Sequence, residues 1–134
     1  MKKGLPVFLL LSGLIGLYVG GGLAFFPAEL QAQSNILIGD NPSHYSETRA
    51  PGVAILSASF IILFGMYRPT LRKLSLSLVT LFFLSYGGGR LLSLILDGRP
   101  ADGLFYAMLG ELTIGAIGAV LLVRTNSSGK GVKE

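Results

Sequence analysis

Arg90 and Glu111 are single charges inside stretches otherwise apolar enough to cross a bilayer. A charged side chain near the centre of a membrane helix costs about 2.5–3.5 kcal/mol on insertion scales. Arg90 precedes Asp97, at the outer end of its stretch, by a distance of roughly 10 Å at 1.5 Å per residue. Glu111 lies a similar distance, roughly 12 Å, beyond Gly103 in the next stretch. These matched depths predict that guanidinium and carboxylate face each other. Tyr86, Arg90 and Asp97 recur at helical spacing on one face. Glu111 shares its face with Gly115 and Gly118, which are expected to leave room for the arginine side chain. Arg49, together with Glu29, stands at the outer boundary, where it can extend the network. Two readings follow. The pair fixes helix register, a well-attested use of interior polar groups, or it lines a polar pocket, open to the outer face, for an anionic, proton-linked or quinone-like ligand. The inner half of the expected bundle is apolar, which argues against a continuous transport route.

Other chemistry is sparse. There is no cysteine, so disulfides, thiol redox reactions and cysteine-ligated metals are excluded. His44 beside Glu47 is the only histidine, too few ligands for a metal site. Gly87-Gly88-Gly89 lacks the preceding strand and following Lys-Ser/Thr of a phosphate loop, and serves instead close helix approach or a kink beside Arg90. Tyr86, Phe105 and Tyr106 read as packing or interface residues. Glu111 as the acid/base of an intramembrane isomerase has no second catalytic group beside it. No cofactor is expected beyond a bound lipid or quinone.

The elements that position these residues are four apolar stretches, about 5–26, 50–67, 74–96 and 103–123. Each approaches the roughly 20 residues that span a hydrocarbon core. With 51% hydrophobic and 13% charged residues, against about 25% charged in soluble domains, the chain reads as an all-α, antiparallel four-helix transmembrane bundle. One membrane domain occupies 1–124, followed by a mobile tail over 125–134. The first stretch begins at Lys2-Lys3 like a signal peptide. Its apolar run exceeds the 7–15 residues of such a segment, and Leu30 stands where a cleavage site needs a small residue, so it is expected to remain as a span.

Gly13, Gly16 and Gly20 share one face of the first stretch, a surface on which helix backbones approach closely in lipid. Pro27 is expected to end that span. Residues 28–49 mix Leu30, Ile36, Leu37 and Ile38 with polar side chains and read as a partly ordered flap on the outer face. Pro51 is expected in the first turn of the second span, with Thr48 or Ala50 as its boundary. Gly98 suits a left-handed helix end, and Asp102 suits an N-cap.

The net charge of +4 concentrates at one side. Lys2, Lys3, Arg68, Arg72, Lys73, Arg124, Lys130 and Lys133 fall at the N-terminus, the second loop and the tail, which four spans bring to the same face. Both termini are therefore expected to be cytoplasmic, in a bacterial inner or photosynthetic membrane. The partners are membrane lipids, above all anionic headgroups, rather than nucleic acid.

The constellation Glu47-x-Arg49-Ala50, Gly89-Arg90, Asp97-Gly98-x-Pro100 and Glu111 resembles a family of small bacterial four-span membrane proteins catalogued as a domain of unknown function. The resemblance extends to about Val123 and implies a four-helix membrane unit with functional interest at Arg49, Arg90, Asp97 and Glu111. It implies no reaction. A more distant likeness to quinol-oxidase-associated subunits rests on size and span count. Two functions fit: a non-enzymatic accessory or scaffold subunit of a larger respiratory or photosynthetic complex, and a lipid-, quinone- or small-anion-binding protein using the Arg90/Glu111 pocket.

Overall fold

The protein is described by a computed structural model over residues 3–128. The helices, in chain order, are α1 (Gly4–Phe25), α2 (Pro27–Ala32), α3 (Pro42–Tyr67), α4 (Arg72–Leu96) and α5 (Asp102–Ser128), with a short 3-10 turn (Pro69–Leu71) leading into α4. Four of them are long and apolar enough to cross a membrane, and the protein is a multi-pass membrane protein of all-α, antiparallel four-helix architecture. Lys2, Lys130, Lys133 and the tail from 129 onward lie outside the described residues.

Two tight pairs build the bundle. α1 lies along α3, α4 lies along α5, and a smaller α3/α4 contact joins the pairs. Small residues make both close approaches. Gly13, Gly16 and Gly20 are buried against α3. A Cβ at Gly13 would come within 2.5 Å of Leu63 Cδ2, and one at Gly20 within 2.5 Å of the Leu56 backbone nitrogen. Gly52 answers from α3, where an added Cβ would stand 2.6 Å from the Ala24 nitrogen. Lipid tails are as apolar as leucine, so packing contact of this kind, rather than hydrophobic burial, drives association. At the junction of the pairs, Leu9, Ile62, Leu76, Val79 and Phe83 form the buried core, and the Ser75 hydroxyl donates across to the Ile61 carbonyl at 3.0 Å.

Element boundaries differ from the sequence reading in three places. α3 starts at Pro42, well before the expected boundary at Thr48 or Ala50, because Asn41 caps it: its side chain accepts from the Ser43 N–H at 2.9 Å, and Pro42 occupies the first turn. Pro51 consequently sits in the helix interior, where it leaves the Glu47 carbonyl without its intrahelical donor. Asp102 is the first residue of α5 rather than its cap; the Ala101 carbonyl accepts the first helical bonds, from Leu104 and Phe105. α5 also continues past Val123 to Ser128, so residues 125–128 of the expected tail are helical. Thr125 and Ser127 return hydrogen bonds to the Leu121 and Val123 carbonyls, satisfying their hydroxyls without leaving the helix.

The segment between α1 and α3 is ordered. Phe26 breaks the helix (φ −127°, ψ 54°) and Pro27 opens α2. Tyr18 donates to Gln33 at 3.1 Å, Gln31 to Thr48 at 3.2 Å, and Ile38 is buried with its carbonyl 3.1 Å from His44 Nδ1. Gly98 takes φ +98° in the α4–α5 turn, a conformation that glycine adopts without steric cost.

Candidate functional site

α4 and α5 are held so close that Gly87 touches Leu112, Gly115 touches Leu84, and Gly118 touches Thr80 and Val79 wherever a Cβ would stand. This register places Arg90 and Glu111 side by side: Arg90 Nε donates to Glu111 Oε2 at 2.9 Å, with the side chains 28% and 19% exposed. Gly115 and Gly118 thus act differently from the sequence expectation. They are filled by the α4 side chains rather than by the arginine, and their effect on the pair is indirect, through helix separation.

The remaining members of the expected network divide into separate sites. Asp97 ends α4 and accepts from the Ser93 hydroxyl at 2.8 Å, without reaching Arg90. Arg49 bonds the Ala24 carbonyl at the end of α1 and stacks over the Tyr45 ring at 5.6 Å. It ties α3 to α1 and leaves the Arg90 site alone. No bond between Glu29 and Arg49 forms among the described residues. Arg99 pairs with Asp102 at 3.1 Å on the exposed turn.

Tyr86 does stay with Arg90 and Glu111, standing between two recesses. The first is a narrow cavity of about 60 Å³ between α1, α3 and α4, walled by Ile15, Val19, Ile55, Phe82 and Phe83, with Glu111 at its edge. The second is an open groove of about 470 Å³ along α4, lined by Ser85, Tyr86, Gly89, Arg90 and Ser93. Ser85 and Ser93 went unnoticed in the sequence, although Ser85, Gly89 and Ser93 recur every fourth residue on one helix face, the spacing that aligns side chains along a helix. Among the described residues no group of three or more His, Asp or Glu side chains is placed to hold a metal ion.

Residues 5–122 match the family model of a domain of unknown function, DUF4345. The chain belongs to this family. No curated protein and no solved structure matches it. The match to DUF4345 takes in all four long helices up to the last turns of α5. Every residue of the Arg90–Glu111 site therefore lies inside the DUF4345 region, as do Arg49 and Asp97. The family description brings no reaction with it, and the function of this DUF4345 member has to be argued from the groove and cavity themselves.

Proposed function

We propose that this is a non-enzymatic membrane protein that binds a membrane-dissolved amphiphile of the lipid or quinone class at the Arg90–Glu111 site. One observation carries the reading: a polar group set and an apolar cavity share the wall residue Tyr86, and the polar side is an open groove rather than a closed bundle centre. A pair serving register alone needs no adjoining recess. A bilayer-dissolved molecule can enter sideways, its chain in the cavity and its head against α4. Native mass spectrometry of the gently solubilised protein tests this. A small molecule should stay bound to the native chain and be released by Glu111→Gln, which keeps the shape but weakens the hold on Arg90. A native chain free of any bound molecule contradicts the reading.

A second reading, an accessory or scaffold subunit of a larger respiratory or photosynthetic complex, draws support from α5. That helix packs chiefly on α4 and leaves Ile117, Val120 and Val123 exposed, a face on which another membrane protein can lie. The same mild solubilisation separates the two, since an accessory subunit co-purifies with its partner and keeps it when Arg90 and Glu111 are altered together.

The proposed orientation has both termini in the cytoplasm. Lys3, Arg68, Arg72, Lys73 and Arg124 gather at one end of the described chain, while of the basic residues outside the apolar stretches only Arg49 and Arg99 lie toward the other, and cytoplasmic loops carry the lysine and arginine excess. The absence of cysteine makes the native chain a ready background. A membrane-impermeant thiol reagent applied to intact cells should label Asp40→Cys and spare Ser127→Cys. The opposite pattern reverses the topology.

A further inference from the structure

The groove along α4 presents hydrogen-bond donors in excess of acceptors. Arg90 spends only Nε on Glu111. Its two terminal nitrogens, with four N–H groups between them, meet no acceptor among the described residues, and neither do the Ser85 and Tyr86 hydroxyls. Elsewhere in the long helices, Ser57 of α3, Ser77 and Thr80 of α4 and Thr113 of α5 satisfy their hydroxyls on their own helix carbonyls. Ser85 is exposed and does not do so. Donors left open at membrane depth are unfavourable until an acceptor reaches them. The floor of the groove is Gly89, whose Cβ position is empty, with nothing within 4 Å, so a ligand head can lie flat against the helix.

Charge decides which acceptor fits. Arg90 is already neutralised by Glu111 at 2.9 Å; Asp97, exposed at the outer end and held by Ser93 at 2.8 Å, stands apart from the pair. The local sum is then zero. An anionic head would bring a second, unbalanced negative charge beside Glu111 into a medium of low dielectric constant, where like charges repel strongly. A carbonyl oxygen supplies lone pairs and no net charge. Shape and lining assign the parts: the open, polar-edged groove along α4 takes the head, and the apolar cavity of about 60 Å³ admits no more than a segment of chain.

We infer that the site selects a neutral molecule whose carbonyl oxygen docks on the Arg90 guanidinium with the Ser85 and Tyr86 hydroxyls beside it, its apolar chain turned into the cavity between α1, α3 and α4. This rests on the binding function proposed above and specifies its ligand. Quinone heads and the ester carbonyls of uncharged glycerolipids share the required chemistry.

The test uses the full chain in nanodiscs of ether-linked phospholipids, which carry no ester carbonyls to compete. Four probes are titrated, with binding followed by quenching of tyrosine fluorescence and by native mass spectrometry: a decyl-chain quinone, dioctanoylglycerol, decanoate and decylbenzene. At least one of the first two should bind ten-fold or more tightly than decanoate and decylbenzene, and whichever binds better identifies the source of the carbonyl. Gly89→Leu, which fills the groove floor without meeting a neighbour at Cβ, should weaken that binding at least ten-fold with the helical circular dichroism unchanged. Gly110→Leu, at an exposed glycine of α5 with equally empty surroundings, should leave it intact. Preference for decanoate, or equal binding of decylbenzene, with sensitivity to Gly89→Leu overturns the carbonyl assignment while the binding function stands. Absence of binding by all four probes, or indifference to Gly89→Leu, overturns both.

Discussion

Gly20→Leu is expected to destabilise the fold by about 3 kcal/mol or more, the top of the range for inserting side-chain volume into a packed interface. The reason lies in what faces Gly20. The nearest atoms to an added Cβ are the backbone nitrogen and Cα of Leu56, at 2.5 and 2.9 Å, and the Gly52 carbonyl at 3.0 Å. Backbone cannot rotate away as a side chain can, so α1 and α3 must separate along their length. Separation also loosens the neighbouring contacts of Gly13 with Leu63 and of Gly16 with Ser59. Even Gly20→Ala should cost about 1–2 kcal/mol by the same mechanism, offset partly by the better helix propensity of alanine. Gly21→Leu is the control. Nothing stands within 4 Å of its Cβ position, and its effect should stay within about 0.5 kcal/mol. Unfolding free energies from a denaturing-detergent titration, followed by circular dichroism, measure both. Equal damage at Gly20 and Gly21 would refute the close α1/α3 approach.

The second large effect concerns the pair on α4 and α5. Arg90→Leu is expected to cost about 2–3 kcal/mol, because it leaves the Glu111 carboxylate without its donor inside a membrane span, where a lone charge is costly. Complete loss of one partner from a fully buried pair costs about 3–5 kcal/mol; the 28% and 19% exposure of these side chains reduces it. Arg90→Leu combined with Glu111→Leu removes the orphan charge and should recover at least half of the loss. The double change can do so because Gly87, Gly115 and Gly118 hold α4 and α5 together independently of the pair. The same detergent titration decides the matter. A double variant as unstable as the single one, or more so, would show that the two groups do not compensate each other.

The contrast between these experiments also separates structure from binding. Gly20 lies on the α1/α3 contact, so its variants report on assembly through the unfolding free energy, and the cavity beside that contact changes with them. Double replacement of Arg90 and Glu111 by leucine keeps most of the fold and removes the polar head site. A protein that folds with both leucines and no longer holds its ligand places the pair in recognition; one that holds its ligand unchanged assigns the pair to register alone.

Much of the architecture is legible in the residues because the membrane imposes a simple rule. A backbone with no water to bond must satisfy itself within a helix, so the length and polarity of each apolar stretch almost suffice to locate a span. The glycine face of α1 is legible for a related reason, since residues spaced by three and four share a helix side whatever the partner is. Boundaries are less legible where local signals compete. Pro51 carries the mark of a helix start, yet Asn41 and Pro42 supply a better one upstream, and the helix runs through the later proline. Thr125 and Ser127 suggest a tail by composition, but their hydroxyls bond within α5 and allow it to continue.

The sequence by itself determined four membrane helices, their antiparallel order and the matched depths of Arg90 and Glu111, because all three depend only on helical rise and on polarity along the chain. Tertiary structure alone decided how the charges are shared out. It sends Arg49 to the Ala24 carbonyl, gives Asp97 to Ser93, fills the spaces at Gly115 and Gly118 with α4 side chains, and opens a donor-lined groove at Ser85 and Gly89. These assignments depend on the rotation of each helix about its axis and on the distance to its neighbour. Both are set by contacts between residues remote in the chain, which spacing within one helix does not contain.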